Sequence, residues 1–234
     1  MRSRKYEILG CPCVALQECE VESFILTVLA QSESGYTVAI NAEKIEQFQK
    51  DSALSLIIKN SILPYPDGAG AVLGLKLLHG ISLKKINMPI KALEAANSNR
   101  LKTYVVGASE VNHHLAIQAI LKRYPNIDLV GHLHGYHSED AIVKDVTTAK
   151  PQIIMIAMGS PKQEILAAKL IKKNISCVVI GCGGAMDILA GMVKRAPDFM
   201  IDNNLEWLYR LCSQPWRLRR QMFLPYFLLR LCVR

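Results

Sequence analysis

An α/β fold around a largely parallel sheet is what this chain predicts, and three observations carry the prediction. Short apolar runs of strand length alternate with helical patterns, the order that builds βαβ units. Four of these runs stop at or near a glycine, at Gly107, Gly131, Gly159 and Gly181, and two near a small polar side chain, at Asn41 and Asp67. The final stretch, 205–234, is of another kind, with arginine mixed among aromatic and aliphatic residues.

In chain order, residues 6–19 predict a small strand pair and 21–30 a helix. Strands follow at 36–40, 62–65, 103–106, 127–130, 153–157 and 177–180, with helices between them. This is a Rossmann-like sheet flanked by helices, and in such sheets ligands bind outside the carboxyl ends of the strands. The polar and glycine stops therefore predict one crevice. The expected division is an α/β domain over 1–204 and a C-terminal helical basic appendage over 205–234.

Composition narrows the partners. A chain of 234 residues that is 50% hydrophobic can bury a full core. The formal charge of +8 points to an anionic partner, although charge alone does not separate nucleic acid, anionic lipid and sugar phosphate. Seven cysteines form an odd set without paired Cys-x-x-Cys spacing, and no signal-peptide pattern precedes them, so reduced thiols in the cytoplasm are expected. Cys11 and Cys13 are read as packing residues rather than metal ligands.

The run Met158-Gly159-Ser160-Pro161-Lys162-Gln163-Glu164 places a glycine turn between an apolar strand and a helix start. Ser160 suits an N-cap, Pro161 N1 and Gln163 N3, a capping box opening a helix that runs to about residue 173. Backbone N–H groups and the positive dipole end attract anions at such a start, and Lys162 adds a charge. In Tyr65-Pro66-Asp67-Gly68 a carboxylate stands at the tip of a strand, read either as a plain Asp-Gly turn or as a base for an acceptor hydroxyl. Asn41, taken alone, is an N-cap for the helix that follows.

In Gly181-Cys182-Gly183-Gly184-Ala185-Met186-Asp187, Met186 occupies the place of the third glycine of a dinucleotide fingerprint, which weakens a nicotinamide reading. Neither a P-loop nor an Asp-x-Asp pair occurs. Asp187 is read as a ribose or base contact, or as a first-turn acid complementing a helix dipole. His113, His114, His132, His134 and His137 lack recognisable metal-ligand spacing and are read as surface or supporting residues. Tyr136 can stack on a nucleobase or pack its own loop.

From 207 to 234 there are six arginines, including Arg210, Arg217 and Arg220, and no acidic residue. Arginine interleaved with Trp216, Phe223, Tyr226 and Phe227 suits attachment at a membrane surface, the alternative being a helical hairpin packed on the domain. Pro225 and Arg230 interrupt it too much for a membrane span.

Several motifs in one order resemble the WecG/TagA/CpsF glycosyltransferase family, most of all its WecG branch. They are Val38-Ala39-Ile40-Asn41-Ala42-Glu43-Lys44, Pro66-Asp67-Gly68, the 158–164 run, the 181–184 glycines, Lys194-Arg195-Ala196-Pro197, and Leu205-Glu206-Trp207-Leu208-Tyr209-Arg210-Leu211 with Gln214-Pro215. Together they cover most of the chain after about residue 37. The resemblance implies a metal-independent, inverting transfer of N-acetylmannosaminuronic acid, or N-acetylmannosamine, from its UDP donor to a GlcNAc-diphospho-undecaprenol acceptor. In the WecG branch this is a step toward enterobacterial common antigen.

The resemblance also implies roles: Asp67 as general base, Asn41 near the acceptor or donor sugar, Gln163 near the transferred sugar and diphosphate, and Tyr136 with Asp187 near the nucleoside. Gly159, Ser160, Lys162, Gly183 and Arg195 belong to the substrate-binding set. Arg210, Arg217 and Arg220 are expected to meet the lipid diphosphate. Where many relatives carry Arg-x-x-Gly-x-Asp, this chain reads Lys84-Lys85-Ile86-Asn87-Met88-Pro89, so Lys85 stands in for the arginine as a point charge. The implied enzyme needs no metal and no cofactor, has no nucleic-acid partner, and sits in the cytoplasm against the inner face of the cytoplasmic membrane. From the residues alone two other classes stay open, a nucleotide-dependent oxidoreductase or methyltransferase and a non-catalytic membrane-surface binding module.

Overall fold

The computed structural model describes residues 4–173, 175–193, 196–197, 200, 206–213 and 224–232. Its chain divides into two compact units, one comprising Met1–Glu18, Val38–Ile86 and Arg195–Arg234, the other Cys19–Thr37 and Asn87–Lys194.

The second unit holds α1 (Val21–Ala30), α5 (Met88–Asn99), β5 (Lys102–Gly107), α6 (Glu110–Arg123), β6 (Asp128–Leu133), α7 (Glu139–Ala149), β7 (Ile153–Ala157), α8 (Lys162–Ile171), β8 (Val178–Gly181) and the short α9 (Ala185–Leu189). Strand β7 pairs in parallel with β5 on one side and β8 on the other. Strand β5 continues to β6, and β8 to the first three residues of β3 (Gly35–Ile40). All five residues of β7 are buried, as befits a parallel strand covered on both faces by helices.

From β5 the chain crosses over to β6, whereas from β7 it crosses in the opposite direction to β8. The topological switch therefore lies between β5 and β7, and in open α/β sheets the crevice outside the carboxyl ends of such strands is the usual ligand position. The loops that leave these two strands touch. Ala108 N–H donates to the Ala157 carbonyl at 2.8 Å, and a side chain at Gly107 would stand 2.3 Å from that same oxygen. With φ at +119° as well, position 107 accepts only glycine.

The first unit contains the antiparallel hairpin β1 (Arg4–Ile8) and β2 (Cys11–Ala15), the second half of β3, α2 (Ala42–Lys50), α3 (Ser52–Lys59), β4 (Leu63–Pro66) and α4 (Ala69–His79). It also contains α10 (Glu206–Ser213) and α11 (Leu224–Cys232). Helix α2 begins where Asn41 Oδ1 accepts from Lys44 N at 2.9 Å, and α3 where Asp51 accepts from Ala53 and Leu54. Helix α11 packs on α2 and α4 through the fully buried Phe227 and through Leu231. Arg230 donates to Glu46 and Gln49, both on α2, at 2.8 Å each.

Strand β3 contributes to both units, and the hydrogen-bonded order of the six strands is β4–β3–β8–β7–β5–β6. The architecture is the expected Rossmann-like α/β sheet with flanking helices. Among the described residues no helix is long and apolar enough to cross a membrane.

Candidate active site

In the second unit, the turn after β7 departs from the expected capping box. Helix α8 starts at Lys162, Pro161 occupies the cap position, and no side chain caps the helix. The reason is local: Gln163 N–H already donates to the Gly159 carbonyl at 2.9 Å, so no hydroxyl from Ser160 is needed there. Gly159 has φ of +73°, and Gly159, Ser160 and Lys162 are exposed at the turn.

Gln163 is buried and turned away from its own helix end. Its Nε2 donates to Glu164 Oε1 at 3.1 Å, and its Oε1 accepts from Gly183 N at 3.3 Å. The amide thus staples the loop after β7 to the loop after β8. The backbone N–H of Gly183 is committed to this staple, in a loop where its φ is +50°. Gly181 makes room for the amide, since a Cβ there would lie 2.6 Å from Gln163 Nε2.

Asp187 lies in the first turn of α9, half-buried. Its Oδ1 accepts from Asn112 Nδ2 at 2.9 Å, a contact across 75 residues of chain that no local pattern announces. Ser109 caps α6 by accepting from Asn112 N at 3.3 Å. His113, next along, is buried. Burial is the main cause that lowers its pKa, so the ring is neutral, and Nδ1–H donates to the Gly107 carbonyl at 2.8 Å. Its Nε2 then accepts from His132 Nδ1 at 3.0 Å. The pair clamps the β5–α6 turn to β6.

Beyond β6, Tyr136 is 80% exposed, with its backbone N–H on His134 Nδ1 at 3.3 Å and its ring tilted against the His134 ring. It is therefore presented outward. Among the described residues no three His, Cys, Asp or Glu side chains gather as a metal-binding group.

In the first unit, Asp67 follows β4 and donates its backbone N–H to the Ile40 carbonyl at 2.7 Å, which holds the carboxylate at the strand tip. Lys85 Nζ stands 3.8 Å from Asp67 Oδ1, with the two side chains 27% and 37% exposed. A pair this long and this wet contributes little to stability. Asn41 is the N-cap that the sequence suggests; the cap uses its oxygen only and leaves the Nδ2 donor group uncommitted among the described residues.

Arg195, Arg217 and Arg220 lie outside the described residues, and Arg210 falls within α10 with its side chain outside them. Sequence reasoning missed Asn112 and gave Glu164 no role; His113, read there among surface or supporting histidines, is a buried supporting one. A capping signal exists for Asn112 in Ser109, but its partner is visible only in three dimensions.

Two relatives are similar over most of their length. A Bacillus spizizenii protein named N-acetylglucosaminyldiphosphoundecaprenol N-acetyl-beta-D-mannosaminyltransferase is 28% identical over 218 residues, 90% of this chain and 85% of its own. A Bacillus subtilis protein of the same name is 32% identical over 184 residues, 77% of this chain and 72% of its own. A sequence model of the glycosyl transferase WecG/TagA/CpsF family matches residues 6–234. A match of that extent, over the switch-point loops and the β4 tip alike, means that the chain belongs to the WecG/TagA/CpsF family and is a glycosyltransferase.

Proposed function

We propose that this enzyme moves an N-acetylmannosamine-type sugar from a UDP donor to an undecaprenyl-diphosphate-linked GlcNAc, with inversion and without a metal. The relatives' names support the sugar and the lipid acceptor. The observation that carries the chemistry is Asp67, a partly exposed carboxylate fixed at a strand tip by its own backbone. In the proposed step the acceptor hydroxyl attacks the anomeric carbon, Asp67 takes its proton, and the sugar–phosphate bond breaks to release UDP. Single displacement from the opposite face inverts the anomeric centre.

Each further residue has a role on this reading. The outward Tyr136 ring stacks on the base, and Asp187 accepts from the nucleoside. Gly159, Ser160 and Lys162 form the exposed turn that receives the diphosphate, where the helix dipole and an ammonium compensate the leaving charge. Gln163 and Gly183 set the shape of the neighbouring loop. Asn41 offers its Nδ2 to a sugar hydroxyl, and Lys85 and Arg195 meet phosphate. Arg210, Arg217 and Arg220 meet the lipid diphosphate. Fixed charges of this kind do the work that a divalent ion does elsewhere.

Peripheral attachment to the inner face of the cytoplasmic membrane belongs to the same proposal. Its support is α11, whose Phe227 and Leu231 are buried while Tyr226 and Leu229 are 57% and 60% exposed. The apolar outer face beside a basic sequence suits a lipid interface.

The test is UDP release from a panel of UDP sugars with a short-chain GlcNAc-diphospho-prenyl acceptor and EDTA throughout. Acceptor-dependent release from UDP-N-acetylmannosaminuronic acid or UDP-N-acetylmannosamine is expected, and which of them works fixes the donor. Asp67→Asn should stay folded and lose roughly 100-fold or more in turnover; unchanged turnover would remove Asp67 from the role.

A further inference from the structure

We infer that Asn112 is a positioning residue for nucleotide recognition, acting through Asp187. The inference rests on the proposed contact between Asp187 and the nucleoside. Asn112 does not need to touch the ligand. Its Nδ2 donates to Asp187 Oδ1 at 2.9 Å, and among the described residues Oδ2 of the same carboxylate has no hydrogen-bond partner. One oxygen is thus committed to the protein and the other is turned over to the ligand.

The support behind Asn112 is stiff. Its backbone N–H is held by Ser109 Oγ, and the next residue, His113, is locked onto the Gly107 carbonyl and onto His132. The first turn of α6 cannot drift without breaking these contacts. On the other side, the Asp187 backbone carbonyl accepts from Met192 N at 3.0 Å and Val193 N at 3.2 Å, which fixes the end of the α9 turn. Two anchored backbones with a charge-assisted bond between them restrict the carboxylate to one rotamer, and the ordering cost is met before any ligand arrives.

Such a carboxylate selects by chemistry. Its open oxygen only accepts, so it matches a donor group of the nucleoside: a ribose hydroxyl, or the N3–H of uracil, which cytosine lacks. It opposes any nucleoside that presents a lone pair at the same place.

The experiment measures UDP affinity of the full-length protein by calorimetry for wild type, Asn112→Ala, Asp187→Ala and the double variant, with melting temperature recorded for each. Asn112→Ala should raise the Kd for UDP about tenfold, in line with a hydrogen bond to a charged group, and should have no further effect once Asp187 is gone. Asn112→Asp keeps the volume and sets two carboxylates against each other, so it should bind more weakly still. Comparison of UDP with 2′-deoxy-UDP and CDP identifies the donor: the contrast that narrows in Asn112→Ala marks the group Asp187 reads. A Kd within twofold of wild type in Asn112→Ala, with Asp187→Ala weakened, would overturn the inference and leave the Asp187 contact standing. Equal losses on both backgrounds would overturn it as well, because Asn112 would then act on the fold. An unchanged Kd in Asp187→Ala would remove the nucleoside contact itself, and the inference with it.

Discussion

The staple made by Gln163 can be broken from a distance of one residue type, at Gly181. Alanine there adds a single carbon, which would stand 2.6 Å from Gln163 Nε2, 3.1 Å from Cδ and 3.7 Å from Cγ. Backbone strain is not the issue, because Gly181 does not have a positive φ. The amide must move, and it has two bonds to lose, one to the buried Glu164 carboxylate and one from Gly183 N. At about 1 kcal/mol for the neutral bond and about 1.5–3 for the charged one, the loss is about 2.5–4 kcal/mol. Alanine recovers about 0.4–1 kcal/mol by restricting the unfolded chain, which leaves a net cost of about 1.5–3.6 kcal/mol. Urea unfolding followed by fluorescence gives the midpoint, and UDP release gives activity. The discriminating comparison is Gly181→Ala in a Gln163→Ala background, where the collision is gone and the cost of the added methyl should vanish. A cost of the same size in both backgrounds would refute the reasoning, since the methyl would then be colliding with something other than the amide.

Two further outcomes follow from buried groups. His113 has its pKa lowered below the ordinary value of 6.5, chiefly by burial, so below that pH the unfolded chain binds a proton that the native chain refuses. Its stabilising share is complete above about pH 6.5 and is lost as pH falls toward the native value; thermal melts from pH 7.5 to 5.5 should decline more steeply for wild type than for His113→Asn, and parallel curves would contradict the assignment. Phe227→Ala empties a fully buried site under α11 and should cost about 3–5 kcal/mol of its docking, seen as early tryptic cleavage after Arg230; unchanged protection would mean that the contacts of Arg230 with Glu46 and Gln49 hold the helix alone.

Strands were legible wherever burial on both faces writes a continuous apolar run. The 153–157 prediction coincides with β7 because that strand has neighbours on both sides and helices above and below. Strand β6 extends three residues past the predicted end at 130, through Gly131, His132 and Leu133. As an edge strand, half-exposed, it carries polar residues that periodicity does not count. The cap at Asn41 was readable because capping is local, whereas the cap at Ser160 failed because a backbone carbonyl took the N–H first. Asn112 with Asp187, and Arg230 with Glu46, were out of reach. They join residues 75 and 184 positions apart, and each side chain has an unremarkable local setting.

The buried acid at Glu164 looks out of place beside a loop proposed to face a diphosphate, because an exposed carboxylate there would repel the leaving group. Gln163 resolves the conflict by its orientation. Its Nε2 is drawn inward to Glu164, which turns Oε1 toward Gly183 N and fixes which end of the amide each loop meets. The acid is thereby used as an internal anchor, 3% exposed, rather than as part of the surface that a ligand sees. The same logic applies to Asn112, which takes one oxygen of Asp187, and to His113, which takes the Gly107 carbonyl. In each case a neutral side chain commits an acceptor oxygen before the ligand arrives. Loops held in this way need little reorganisation when charge develops on UDP, and on the proposed mechanism that is the condition for fixed dipoles and ammonium groups to stabilise its departure.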